Sequence, residues 1–246
     1  MVTVRSEWMP SIRKIDEETA ICAIGDVHGC ADLLKEMHVG IVQEFDLISP
    51  GAAYCIHLGD LIDRGPESLR ALRLAMQGIP GATNCTLIGN HEHRLLQLLR
   101  TPDAKMMHRW LMNGGTEFFE ELGVDPRGRW EDRVAVLLGG DTIEWLHSLP
   151  LKLQLGKLLF VHAGIDVEVP IDHQTVETLA WIREPWLSSK GPYENGLAVI
   201  HGHTPIAHVD LSDQHRINLD SGACETGVLS ALLIQGGRMK LLQTCD

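Results

Sequence analysis

Apolar residues fall in short runs that each end at a polar, glycine-bearing tip, and three successive runs share one layout. Residues 19–25 (TAICAIG) are apolar and lead into DVHGC and a helix-like stretch over about 31–45. Residues 53–59 lead into DLIDRG and a helical segment that opens at Pro66 and closes near Gly78. Residues 83–89 (TNCTLIG) carry Asn90 and His91 at their end, with helical spacing over 92–100. Repetition of strand, polar tip and helix predicts an α/β sheet whose loops gather at the carboxyl ends of the strands, the edge where sites form in such folds.

From 102 to 150 the composition is helical, interrupted by Asn113-Gly114-Gly115 and by a turn over 126–129. With no long linker on either side, this stretch predicts a helical cap within the domain. Short apolar runs return over 151–155, 158–161, 197–200, 217–219, 228–234 and 239–242. The last two flank Gln235-Gly236-Gly237-Arg238 and predict a hairpin. Beyond this layout there is no internal repeat and no low-complexity tract, so residues 1–246 are expected to form a single domain.

Composition narrows the function. At 44% hydrophobic and 22% charged residues, disorder is excluded as the main state. The 21 Lys+Arg against 33 Asp+Glu give a net charge of −12 and no basic run, which argues against a general nucleic-acid or anionic-membrane surface. The six cysteines (Cys22, Cys30, Cys55, Cys85, Cys224, Cys245) form no CxxC pair and predict reduced thiols rather than a disulfide framework or a zinc knuckle. The opening MVTVRSEWMPSIRKIDEE has no apolar signal region and no later segment approaches the ~18 apolar residues of a membrane span, which predicts a soluble, cytoplasmic protein.

Five tips collect the chemistry: Gly25-Asp26-Val27-His28-Gly29, Gly59-Asp60-Leu61-Ile62-Asp63-Arg64-Gly65, Gly89-Asn90-His91-Glu92, His162-Ala163-Gly164 and Gly202-His203-Thr204. Each sets Asp, Asn or His beside glycine, which lets the backbone turn sharply and brings side chains together. Carboxylate, amide and imidazole without thiolate form a ligand set for Mn, Fe or Zn.

GDVHG, GDLIDRG and GNHE, in that order and followed by HAG and GHT, resemble the blocks of the metallophosphoesterase superfamily, phosphoprotein phosphatase type. The compact form with GHTP near its end is most similar to the bacterial and bacteriophage lambda Ser/Thr protein phosphatases, and the resemblance covers roughly 19–235. It implies an α/β fold: a β-sandwich flanked by helices, with the helical cap inserted in the middle of the chain. It implies two divalent metal ions, Mn²⁺ foremost with Fe or Zn compatible: Asp26 and His28 on one, Asp60 bridging, and Asn90, His162 and His203 on the second. Two such ions and a bridging hydroxide carry enough net positive charge, with two carboxylates, to accept a phosphate dianion, and the hydroxide is the implied in-line nucleophile. Arg64 of the DRG triplet, Arg183 of Trp181-Ile182-Arg183-Glu184 and Asn90 are the implied phosphate-binding residues. His91 is the implied general acid for the departing alkoxide, with Asp63 as its partner.

The implied function is a hydrolase acting on phosphoserine, phosphothreonine and small aryl phosphates, so a phosphorylated protein or small phosphate ester is the expected partner, with no nucleic acid and no membrane; the sequence does not encode an oligomeric state legibly. The nearest rival is a symmetrical dinucleoside-polyphosphate hydrolase, which shares the metal blocks but tends to lack the aspartate of DRG and to carry GNHD. Asp63 and Glu92 favour the phosphatase. An inactive scaffold would have lost a ligand, and none is missing. Glu92 is expected to hold the loop behind the metals. The other histidines, His201 among them, are expected to be structural or exposed, and the six tryptophans to pack the core and cap.

Overall fold

The computed structural model of the chain describes residues 1–245. Two short strands that the apolar pattern does not announce come first, β1 (Val2–Arg5) and β2 (Met9–Pro10). The three repeated units follow: β3 (Thr19–Ile24) and α1 (Ala31–Ile48), β4 (Ala52–His57) and α2 (Ser68–Gln77), then β5 (Thr83–Thr86) and α3 (Asn90–Arg100). α2 ends where Gly78 takes a φ of 62° that helix cannot continue. β5 stops before the apolar Leu87 and Ile88, because the N–H of Ile88 donates to Pro150 O at 3.0 Å.

The cap comprises α4 (Ala104–Trp110), α5 (Thr116–Leu122), α6 (Glu131–Leu138) and α7 (Gly140–Ser148). The expected interruption at Asn113-Gly114-Gly115 is a single wide turn, Leu111–Gly115, that joins α4 to α5, with Asn113 and Gly114 out of helical conformation. The chain then runs through β6 (Lys152–Leu155), β7 (Leu158–Val161), α8 (Val176–Leu179), β8 (Ala198–His201), β9 (Arg216–Asn218) and α9 (Ala223–Thr226). It closes with the β10 (Val228–Gln235) and β11 (Arg238–Cys245) hairpin.

One sheet has seven strands in the order β1-β11-β10-β3-β4-β5, with β2 also on β11; the other is β6-β7-β8-β9. β3, β4 and β5 are parallel, as are β7, β8 and β9. Alternation along β3 sends Ile21 and Ala23 to one face and Ala20, Cys22 and Ile24 to the other. The first face joins Ile56, Leu58, Leu158, Phe160, Ile200 and Ile217 between the two sheets. The second packs on Leu34, Met37 and Ile41 of α1. The result is a β-sandwich with helices outside it, as the sequence implies. Its parallel strands deliver all five polar tips to one edge. Among the described residues, no helix is long and apolar enough to cross a membrane.

Candidate metal centre

The tips turn so tightly that five of their non-glycine residues stand in the left-handed region: His28 (φ 45°), Asp60 (52°), Asp63 (73°), Arg64 (65°) and His203 (72°). Such conformations cost about 1–3 kcal/mol each and persist where the surroundings over-determine them. For Asp60 the surrounding is Glu92. Its buried carboxylate accepts the backbone N–H of Asp60 at 2.9 Å, Leu61 at 2.7 Å, Ile62 at 3.2 Å and Gly89 at 3.0 Å. Burial, with Asp60 adding, pushes the Glu92 carboxyl up to about 7. A Cβ at Gly89 would collide with the backbone N and carboxylate of Asp60, so only glycine lets these loops stack.

Asp60 sits at the centre. Its Oδ2 lies 3.5 Å from His28 Nε2, 3.3 Å from His162 Nε2 and 3.9 Å from His91 Nε2. Two groups of metal-capable side chains share it, His28–Asp60–His91 and Asp60–His162–His203, with donor atoms within 4.8 Å of one another. His28 Nδ1 is 2.8 Å from Ile62 O and His162 Nδ1 is 2.9 Å from Leu58 O. Each carbonyl takes the Nδ1–H of its ring and turns Nε2 inward, the orientation metal-binding imidazoles use; burial opposes charge on His162, but Asp60 pushes it up to about 10, so a metal would displace its Nε2 proton. His28 Nε2 is buried without a hydrogen-bond partner. Asn90 Oδ1 faces His162 Nε2 at 3.1 Å and His203 Nδ1 at 2.7 Å, while the Asp26 carboxylate accepts the His203 N–H. An inward-aimed, unpartnered nitrogen amid a thiolate-free N/O donor set fits divalent ions of the Mn, Fe or Zn kind.

Burial lowers His28 to about 3, and burial with the neighbouring His162 lowers His203 to about 3, so both rings are neutral and able to ligate. Burial opposes charge on Asp60 too, but His162 and His91 outweigh it and hold that carboxyl well below its usual range. Asp26 is pushed up by burial and by Asp220 beside it. Asp220 is a buried carboxylate that the sequence reading passed over, and its Oδ2 has no partner.

Beside this cluster, His91 Nδ1 lies 2.5 Å from Asp63 Oδ2, and Trp110 Nε1–H donates to the same oxygen. Burial works against a charged His91, yet Asp60 and Asp63 prevail and hold the imidazolium above its ordinary range. Arg64, Asn90, His91 and Arg183 line one pocket of about 290 Å³ together with Arg94 and Trp181. Every residue in the expected set therefore lies at this edge. Three neighbours were not anticipated. Trp110 reaches Asp63 from the cap, a contact with no local signal; Arg94 stacks on Trp181 at 4.5 Å and stands four positions after Asn90, which a helical reading could have placed on the same face. Thus two tryptophans assigned to packing border the pocket. The cap also grips Arg64: its N–H donates to Gly114 O at 2.8 Å, and the Gly114 φ of 100° admits that approach. His201 lies outside the site, against Trp186 at 5.4 Å; β8 ends at that residue, and the turn at Gly202 separates it from His203, which a continued strand would place on the same face.

Known proteins share this frame. The profile of the family described as calcineurin-like phosphoesterase matches residues 19–227. The chain is 28% identical over 220 residues to "Serine/threonine-protein phosphatase 1" of Salmonella typhimurium, covering 87% of this chain and 92% of that one. It is 27% identical over 228 residues to the asymmetrical "Bis(5'-nucleosyl)-tetraphosphatase PrpE" of Halalkalibacterium halodurans, covering 85% and 87%. A crystal structure described as a putative diadenosine tetraphosphatase superposes with a TM-score of 0.66 at 20% identity, covering 92% of this chain and 94% of that one, a likeness of fold.

Proposed function

Since the chain belongs to the calcineurin-like phosphoesterase family of metal-dependent hydrolases, we propose that it is a dinuclear phosphomonoesterase of the Ser/Thr protein phosphatase type. Asp26, His28, Asp60, Asn90, His162 and His203 would hold two divalent ions, Mn²⁺ in the first instance, which would supply the charge that makes water nucleophilic near neutral pH and neutralises phosphoryl oxygens. Arg64 and Arg183 bind the phosphoryl oxygens, Arg64 with its backbone fixed by the cap, and Asn90 orients beside them. His91 gives the proton on Nε2 to the departing alkoxide, and Asp63 stabilises the imidazolium and fixes its ring. Residues 1–246 work as one domain, because the cap contributes Trp110 to this proton-donating chain.

The buried Trp110–Asp63–His91 chain carries the reading. A serine alkoxide leaves poorly without a proton, whereas a nucleotide phosphate leaves well without one. A second reading, hydrolysis of dinucleoside tetraphosphates, draws support from Arg94, a third arginine in the pocket suited to a polyphosphate chain, and from the names of relatives. Metal-reconstituted protein should be assayed on a phosphoserine peptide, p-nitrophenyl phosphate, a phosphodiester and diadenosine tetraphosphate. The phosphatase reading predicts the highest kcat/KM on the peptide. The highest kcat/KM on the tetraphosphate replaces it with the second reading.

A further inference from the structure

Below the tip loops lies a pair of thiols that the hydrolysis above does not use. Cys30 is the residue immediately before α1, next to Gly29; Cys224 lies on α9, far along the chain. Their Sγ atoms are 3.2 Å apart. Both approach one acceptor, His28 O, Cys224 at 2.8 Å and Cys30 at 3.6 Å. Both side chains are half-buried and border a surface pocket of about 320 Å³ shared with Arg64, Gly65 and Pro66. By contrast Cys22 and Cys55 are fully enclosed.

We propose that Cys30 and Cys224 form an oxidisable dithiol site, which a peroxide closes to an intrachain disulfide, and that closure perturbs the loops bearing His28 and Arg64. A disulfide bond of about 2.05 Å asks the two sulfurs to approach by roughly 1.2 Å, within the reach of side-chain rotation. One sulfur attacks the peroxide, breaking O–O and leaving a sulfenic acid and water; the second thiol displaces the sulfenic oxygen as another water. Two S–H bonds and one peroxide O–O bond are lost, one S–S bond forms, and hydrogen peroxide is reduced to two waters.

Coupling to the loops follows from contact. Closure removes the Cys224 S–H that now donates to His28 O. A Cβ at Gly65 would stand 3.1 Å from Cys224 Sγ and would collide with His28 O, so sulfur, the His28 carbonyl and the Gly65 backbone are already in contact. His28 and Arg64 hold left-handed φ values of 45° and 65° in these two loops, with little room to yield in another way. The change in sulfur position is therefore felt at a metal-facing imidazole and a phosphate-facing guanidinium together.

The test treats Mn²⁺-loaded protein with hydrogen peroxide, maps disulfide-linked peptides by mass spectrometry, and measures p-nitrophenyl phosphate hydrolysis before and after dithiothreitol. Expected are a linked Cys30–Cys224 peptide lighter by two hydrogens and a rate loss of about 3- to 30-fold that dithiothreitol reverses. Cys30→Ser and Cys224→Ser should keep the reduced-state rate, since serine retains a donor for His28 O, and should resist the oxidant. Absence of the linked peptide, with each thiol oxidised or alkylated separately, overturns the site. A linked peptide with an unchanged rate overturns the coupling, and equal inactivation of both serine variants does the same by assigning the loss to the metals. Because the linkage is read by mass, protein that never hydrolyses phosphate esters would count against the proposed function and not against the dithiol.

Discussion

Replacing His91 with Asn removes the proposed proton donor while keeping a small polar group in a 4% exposed position. General acid catalysis is worth about 10²- to 10⁴-fold, or about 2.7–5.4 kcal/mol, when the leaving group needs a proton. The structure grades two weaker perturbations of the same device. Asp63→Asn keeps the ring but removes a charge-assisted hydrogen bond worth about 1.5–3 kcal/mol, or roughly 10- to 150-fold. Trp110→Phe removes a second donor to that carboxylate but leaves the His91–Asp63 bond in place, so only part of a loss of this size reaches the proton donor, while an aromatic ring still packs on Phe118 and Phe119. The rates on a phosphoserine peptide should fall in the order His91→Asn, Asp63→Asn, Trp110→Phe. On p-nitrophenyl phosphate, whose phenolate departs without a proton, all three should cluster near wild type. Single-turnover rates on metal-replete protein keep the chemical step in view. Equal losses on the two substrates would refute the acid role and assign His91 to phosphate binding.

Arg64→Ala and Arg183→Ala should each lower kcat/KM by about 2–4 kcal/mol of transition-state stabilisation with metal content intact; wild-type kinetics in Arg183→Ala would move the phosphate to another group. Glu92→Ala strands four buried N–H donors and should destabilise the fold by about 3–5 kcal/mol in urea, and a change below about 1 kcal/mol would show that the loops hold without it. His38 and His57, hydrogen-bonded Nε2 to Nε2 at 2.8 Å, are lowered by burial to about 4 and about 3. The unfolded chain therefore binds more protons below the ordinary ~6.5, so their contribution is whole above that pH and lost as pH falls, roughly 2 kcal/mol per ring by pH 5. A His38→Leu/His57→Phe double variant should lose less stability than wild type between pH 7 and 5, and an identical pH slope would contradict this.

Much of the site is legible in the sequence because its residues sit at strand ends, where one glycine-bearing block fixes both a turn and its side chains. GDVHG, GDLIDRG and GNHE each supply such a block, and parallel pairing of β3, β4 and β5 brings them to one edge. What could not be read is set by distant partners. β1 and β2 are short, and they exist because β11 presents an edge to them. Asn113-Gly114-Gly115 breaks the helix as its composition announces, with Asn113 and Gly114 out of helical conformation, but that the Gly114 carbonyl accepts the Arg64 N–H depends on a partner fifty residues away. Trp110 meets Asp63 across 47 residues. The proximity of Cys30 to Cys224 likewise depends on β10 pairing beside β3, which no local spacing encodes.

In the proposed mechanism one carboxylate, Asp60, serves two ions at once. Titrating Mn²⁺ into metal-free protein, with electron paramagnetic resonance and p-nitrophenyl phosphate rates read on the same samples, addresses it directly. Activity should saturate at about two ions per chain with the spectrum of an exchange-coupled pair, and Asp60→Asn should lose both signal and metal. Saturation at a single ion with the spectrum of isolated Mn²⁺, or full activity in verified metal-free protein, would contradict it.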